Sequence, residues 1–117
     1  MIAFPANTDI FVCHIPVSFG CGFDGMIRYC QIVLQQEAMS QAYFMFINKG
    51  KNQIRVLWYD GQGFSLCTKR CSKGHFSYWP KNSTDLKSMV SFFDAQILFS
   101  GGDPNNIRTK KIWKEII

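Results

Sequence analysis

The spacing of hydrophobic positions changes along the chain, and each change predicts a different element. Residues 8–15, TDIFVCHI, are β-branched and aromatic, with Pro5 before them and Pro16 closing the run, which predicts a first strand. Ser18 to Gly22 reads as a Gly-rich turn. From Phe23 the period lengthens: Met26, Ile27, Tyr29, Cys30, Val33 and Leu34 recur at three-to-four-residue spacing, predicting one face of a helix that runs to about Ala38. Asp24 stands near its start, where a carboxylate caps free amides and complements the positive helix end. Residues 43–80 then alternate strand-like runs with tight turns: 43–47, NKGKN, QIRVLWY, DGQG, FSLCTKR, CSKG and HFSYW. Each turn holds the Gly or Asn that a reversal needs. A polar connector covers 81–88. A second, shorter helix is predicted from about Ser91 to Phe99, with Phe92, Phe93, Ala95, Gln96 and Ile97 to Phe99 mostly inward and Gly101 or Gly102 as its stop. The fold class is therefore α+β: a curled antiparallel meander of about five strands against one main helix, with a short second helix near the C-terminus.

The DGQG turn sets a register. With Gly61 and Gln62 as the central pair, Tyr59 faces Phe64, Leu57 faces Leu66, Arg55 faces Thr68 and Gln53 faces Arg70. Trp58, Val56 and Ile54 then share the other face with Ser65, Cys67 and Lys69. Both faces carry large apolar groups, so the helix covers one and the sheet must be curled or partly covered on the other. A meander reverses at alternate ends, which places Lys49, Lys51 and Lys73 at the rim opposite DGQG. Arg55 and Arg70 point to one face just below that rim, where like charges cost up to about 1 kcal/mol unless an anion or acid intervenes.

Composition narrows the class. A chain of 117 residues is read as one domain over 1–117, with 103–117 as a possible basic C-terminal arm. Its 47% apolar and 18% charged content excludes an intrinsically disordered chain. Five cysteines without a CxxC pair fit neither a closed disulfide framework nor a paired zinc knuckle, and a reducing cytoplasm is the natural setting. The start of the chain lacks the pattern of a signal peptide and no run is long enough to span a membrane, so no membrane partner is expected.

Charge adds a direction to the picture. The net charge is +5, but it is concentrated: Lys49, Lys51, Arg55, Lys69, Arg70 and Lys73 stand against Asp60 alone within residues 49–73. A second basic block, Arg108, Lys110, Lys111 and Lys114 against Glu115, forms the tail with Ile112 and Trp113 as apolar anchors. Such clustering is the footprint of a polyanion-binding face. The six bases of residues 49–73 are the candidate nucleic-acid contacts.

Catalytic chemistry is poorly served. Metal-assisted phosphoryl transfer needs clustered carboxylates, whereas Asp60 sits in a turn at the far end from the basic rim and Asp24 has a role at a helix start. Neither His14 nor His75 has a partner at ligand spacing, and no activating group singles out one of the five thiols as a nucleophile. Trp58 and Tyr59 suit base stacking, but aromatics on strands more often belong to the core. No catalytic residue, metal or cofactor is expected.

Several segments together resemble a known family. GFDGM at 22–26, FMF at 44–46, IRVLWYDGQGFSL at 54–66, KR at 69–70, KGHF at 73–76 and WP at 79–80 are similar to the small TnpB accessory protein of the IS66 family of bacterial insertion sequences. The Gly-Gly-Asp-Pro stretch and the basic Trp-containing tail extend the similarity over nearly the whole chain. Departures are local: Gly20 and Cys21 stand where the family commonly has bases, Gln62 replaces an acidic residue, His75 replaces an Arg, and one extra residue precedes Trp79. The resemblance implies a bacterial protein that works with a separate transposase, which carries the DNA-cutting carboxylates. Two functions stay open at this point. One is a non-catalytic accessory in transposition that contacts DNA phosphates at the insertion-sequence ends, with low specificity of its own. The other is an interaction module that bridges or activates transposase subunits without direct DNA binding.

Overall fold

Alternating apolar side chains give one sheet two hydrophobic faces, and the remainder of the chain covers both. The computed structural model describes residues 4, 8–33, 35, 37, 40–81 and 84–104. Along the chain come β1 (Ile10–Cys13), α1 (Gly22–Arg28, continued by a π-helical turn at Tyr29–Val33), β2 (Tyr43–Ile47), β3 (Gln53–Tyr59), β4 (Phe64–Arg70), β5 (Lys87–Val90) and α2 (Phe92–Phe99). The five strands form an open sheet in the order β4-β3-β2-β1-β5. This is the α+β class, with its main helix and a short second helix near the C-terminus. The basic tail from Arg108 lies outside the described residues.

The β3–β4 hairpin has the predicted register, with Tyr59 opposite Phe64, Leu57 opposite Leu66, Arg55 opposite Thr68 and Gln53 opposite Arg70. Gly61 takes φ 99, the conformation a two-residue hairpin turn with Gly first requires. Two expectations need correction. The sheet is mixed, because β1 runs parallel to β2, and a parallel pair needs the long crossover that carries α1. The aromatic run HFSYW is not a strand: the fifth strand is Lys87–Val90, which overlaps the segment read as a polar connector and pairs antiparallel with β1. In residues 75–79 Phe76 and Trp79 are buried while His75 and Ser77 are exposed, and the Trp79 indole N–H donates to the Cys13 carbonyl at 2.8 Å. These aromatics serve the core from a loop.

Two clusters result. On one face Ile10, Val12, Met45, Ile47, Ile54 and Val56 pack under α2 and the loop aromatics Phe76 and Trp79. On the other, Phe44, Phe46, Cys13 and Leu57 pack under Met26 and Cys30 of the main helical segment. α2 is capped as its sequence suggests. The Asp94 amide donates to the Ser91 hydroxyl at 3.1 Å, and Gly101, at φ 88, lets the amides of Gly101 and Gly102 close on the carbonyls of Leu98 and Ile97. Phe92 and Phe93, expected inward, are 49% and 37% exposed. α2 starts directly after the edge strand β5, and its first turn leaves both rings partly in solvent.

The main helical segment is shorter than the hydrophobic spacing predicts. It ends at Val33, and Gln35 sits at φ 54, outside helical geometry; Leu34 and Ala38 lie outside the described residues. At its start, Cys21 is the N-cap without a side-chain hydrogen bond. Asp24 in the first turn thus acts through its charge on the positive helix end and is not the capping residue. Both glycines of GFDG have geometric causes. Gly22, at φ 66 and ψ −166, occupies a region essentially closed to other residues. At Gly25 an added Cβ would lie 2.1 Å from the Cys21 Cβ. Gly25→Ala is therefore expected to destabilise the fold by about 1–3 kcal/mol through overpacking. A lower urea midpoint would show it, and adding Cys21→Gly should recover most of the loss. An unchanged midpoint for the single variant would contradict the contact.

Candidate nucleic-acid interface

Asn48 organises the end of the sheet that carries the basic turns. Its amide N–H donates to the Gln53 carbonyl, its carbonyl accepts from Lys51 N–H at 3.0 Å, and its side-chain oxygen accepts from the amides of Asn52 and Gln53 at 2.9 and 3.0 Å. Residues 48–52 are thereby held as a rigid loop presenting Lys49 and Lys51. The chain leaving β4 is tied to this loop: Cys71 N–H donates to the Asn52 carbonyl at 2.8 Å and Phe76 N–H to the Lys51 carbonyl at 2.7 Å. Lys73 stands between those two bonds. Lys49 and Lys73 are exposed, Lys51 is half-buried, and Arg70 lies exposed at the adjoining end of β4.

Lys51 adopts φ 57, a left-handed conformation that costs a side chain other than Gly or Asn about 1 kcal/mol. Its carbonyl is the acceptor that anchors the second turn.

The other two candidate bases are engaged within the fold. Arg55 bends its guanidinium over the Phe19 ring, 4.5 Å from the centroid, and donates through Nη1 to the Phe19 carbonyl at 2.9 Å and through Nε to Thr68 Oγ1 at 3.1 Å. These contacts supply an answer to the predicted crowding of Arg55 and Arg70 that needs no anion. They also pin the segment before GFDG to the sheet. Lys69 points to the opposite face, with its ammonium 5.3 Å from the Phe99 ring centroid. The six bases therefore divide into Lys49, Lys51, Lys73 and Arg70 at the sheet end, and Arg55 and Lys69 against aromatic rings on the two faces. Nothing in the local sequence points to Phe19, which meets Arg55 across 36 positions of chain.

The remaining polar residues have structural work. Asp60 Oδ1 accepts from the amides of Gln62 and Gly63, both at 3.0 Å, closing the DGQG turn. His14 is buried and latches the end of β1 to β5 and the residues just before it: Nδ1 lies 2.9 Å from the Asp85 carbonyl, which can only accept, and Nε2 lies 2.8 Å from the Ser88 hydroxyl. Burial, reinforced by nearby Cys13, pushes the Cys30 thiol up to about 12, and burial likewise raises Cys13. Neither thiol supplies a nucleophilic thiolate at neutral pH. Among the described residues no three His, Cys, Asp or Glu side chains are grouped to hold a metal ion, and no helix is long and apolar enough to cross a membrane.

These features define a small α+β protein with a cationic sheet end. The particular family follows from comparison: the chain belongs to the IS66 Orf2-like family, whose profile, described as IS66 Orf2 like protein, matches residues 8–109. It is similar to "Uncharacterized protein y4hO" of Sinorhizobium fredii (strain NBRC 101917 / NGR234), 31% identical over 63% of this chain and 64% of the relative. It is also similar to "Uncharacterized protein y4jC" of the same strain, 26% identical over 96% of this chain and 94% of the relative. No solved structure matches. Membership makes this a transposition-associated accessory protein of the insertion-sequence type, and the family is not a known catalytic one.

The turn geometry gives Asp60 a pH signature. Hydrogen bonds from the Gln62 and Gly63 amides hold its carboxyl below the ordinary Asp value. Its contribution to hairpin stability is thus fully present above the unfolded-state pKa of about 3.9 and is lost as pH falls through the lower folded value. Carbon-detected NMR titration should give Asp60 a midpoint below that reference, and Asp60→Asn should remove the acid-side dependence of the hairpin shifts. A midpoint at or above the reference would contradict the turn bonds.

Proposed function

We propose that the protein is a non-catalytic accessory that grips DNA phosphates at the ends of its insertion sequence through Lys49, Lys51, Lys73 and Arg70, acting with the transposase in the cytoplasm. The observation that carries this reading is the cross-tying of two lysine-bearing turns. The bonds from Phe76 to Lys51 and from Cys71 to Asn52 give flexible cations a common rigid base. A Lys at a left-handed position, where Gly would relax the backbone, fits a side chain used for contact. Phosphate contacts supply affinity and register without reading bases, so specificity falls to the transposase or to DNA shape. Arg55 and Lys69 act at the margins of this surface, Arg55 chiefly by positioning the segment before α1.

A second reading, a module that bridges transposase subunits without touching DNA, is favoured by one feature. Leu86, Met89 and Phe92 expose 43%, 59% and 49% of their surface around β5 and the start of α2. Co-purification of the transposase that survives nuclease treatment would support it.

Salt titration of duplex binding tests the first reading. About four phosphate contacts predict a slope of log K against log salt near −3.6, roughly −0.9 per contact. Lys49→Ala with Lys73→Ala should weaken that slope by about 1.8. Lys51→Gly should raise stability by about 1 kcal/mol by relieving the left-handed strain while weakening the slope by about 0.9. An affinity independent of salt, or none at low salt, would sink the proposal.

A further inference from the structure

Among the described residues, the longer of the two sheet edges is the free edge of β4. Hydrogen-bonded and non-hydrogen-bonded pairs alternate along an antiparallel hairpin. The bonds Asp60 N–H to Gly63 carbonyl and Cys71 N–H to Asn52 carbonyl fix that alternation at both ends of β3–β4. Ser65, Cys67 and Lys69 therefore exchange the ladder bonds with β3, while Phe64, Leu66, Thr68 and Arg70 turn their backbone N–H and C=O groups outward. Among the described residues no backbone group pairs with these outward groups, and β4 is the terminal strand of the sheet. The opposite edge, β5, is only four residues long against seven for β4.

A crevice of about 400 Å³ runs beside this edge, lined by Cys67, Thr68, Lys69, Arg70, Phe99 and Ser100. Its walls are cationic and aromatic. The Gly101 and Gly102 amides close on the carbonyls of Leu98 and Ile97, and the crevice offers Ser100 and the Lys69 cation to a ligand. The other half of the edge is apolar, with Phe64 and Leu66 half-buried.

We propose that the β4 edge is a docking site for an extended, acidic segment of a partner protein, added to the sheet as a sixth strand. A row of outward N–H and C=O groups, repeating every second residue at roughly 6.8 Å, is matched by another strand and not by phosphodiesters. Carboxylates on one face of the added strand meet Lys69 at the crevice, and apolar residues on its other face lie beside Phe64 and Leu66. A second copy of this chain is disfavoured, since it would bring the same Lys69–Arg70–Lys73 cluster and a further net charge of +5. The inference does not rest on the DNA reading, because it uses the strand backbone and Lys69 and not the lysine turns.

The test uses the full chain and a seven-residue capped peptide of alternating Val and Glu, with the Val-Lys peptide as control. Amide exchange followed by NMR should slow at Phe64, Leu66, Thr68 and Arg70 on adding the glutamate peptide. Ser65, Cys67 and Lys69, already bonded to β3, should not change. Lys69→Glu should weaken the glutamate peptide at least about tenfold and improve binding of the lysine peptide. Thr68→Pro, allowed on an edge strand, should abolish the alternating protection, with circular dichroism confirming that the sheet persists. No alternating protection, equal response to the lysine peptide, the same pattern with duplex DNA, or protection that grows with protein concentration alone would each overturn the proposal. The DNA reading would still stand or fall on its own salt slope.

Discussion

The fold depends on the burial of β2 on both faces. Phe44 and Phe46 on one side and Met45 and Ile47 on the other are fully buried, each worth about 1.5–3 kcal/mol when removed from water. A strand buried on both faces has to sit inside the sheet and be covered twice. Parallel pairing with β1 supplies one cover, because the connection between parallel strands must cross a face and here carries α1. The other cover is assembled from α2, Phe76 and Trp79.

Both covers are fastened by side chains that reach backbone carbonyls. Arg55 holds the Phe19 carbonyl, Trp79 the Cys13 carbonyl and His14 the Asp85 carbonyl. Removing such a donor leaves a carbonyl to be resolvated or stranded, at about 1–3 kcal/mol where it is buried. Arg55 shows how this affects function: a base that looks free for phosphate in the sequence is largely committed to the fold. The glycines of GFDG belong to the same architecture. They let the chain turn into α1 and pass the Cys21 side chain, which accounts for the motif without assigning it chemistry.

Local turn chemistry made the β3–β4 register readable, since a two-residue turn at Gly61 and Gln62 leaves no freedom in the pairs that follow. The position of the lysines in turns was equally legible, because NKGKN and CSKG announce reversals. What the sequence could not reveal is which strands meet across long separations. KSMV has weak strand character and pairs with β1 because β1 has an open edge, while HFSYW has strong strand character but sends Phe76 and Trp79 into the core from a loop. The end of the main helical segment was hidden for a similar reason. Apolar spacing continues past Val33, but Gln35 takes φ 54, which helical geometry does not allow. The partners of Arg55 and Lys69, Phe19 and Phe99, are likewise set by packing and not by spacing.

A sheet offers two kinds of surface, its ends and its edges, and the basic block of residues 49–73 lies on both. At the end, charge is carried by turn side chains on a hydrogen-bonded base, a geometry suited to the irregular spacing of phosphates. Along the edge, recognition falls to the backbone, and charge only filters what pairs with it. Cations on an edge strand ordinarily oppose self-association. Lys69 does so in a specific way, because its contact with Phe99 holds the charge beside the open ladder instead of releasing it to solvent. On the proposed docking, the charge that opposes a second copy is the same charge that would pair with an acidic segment.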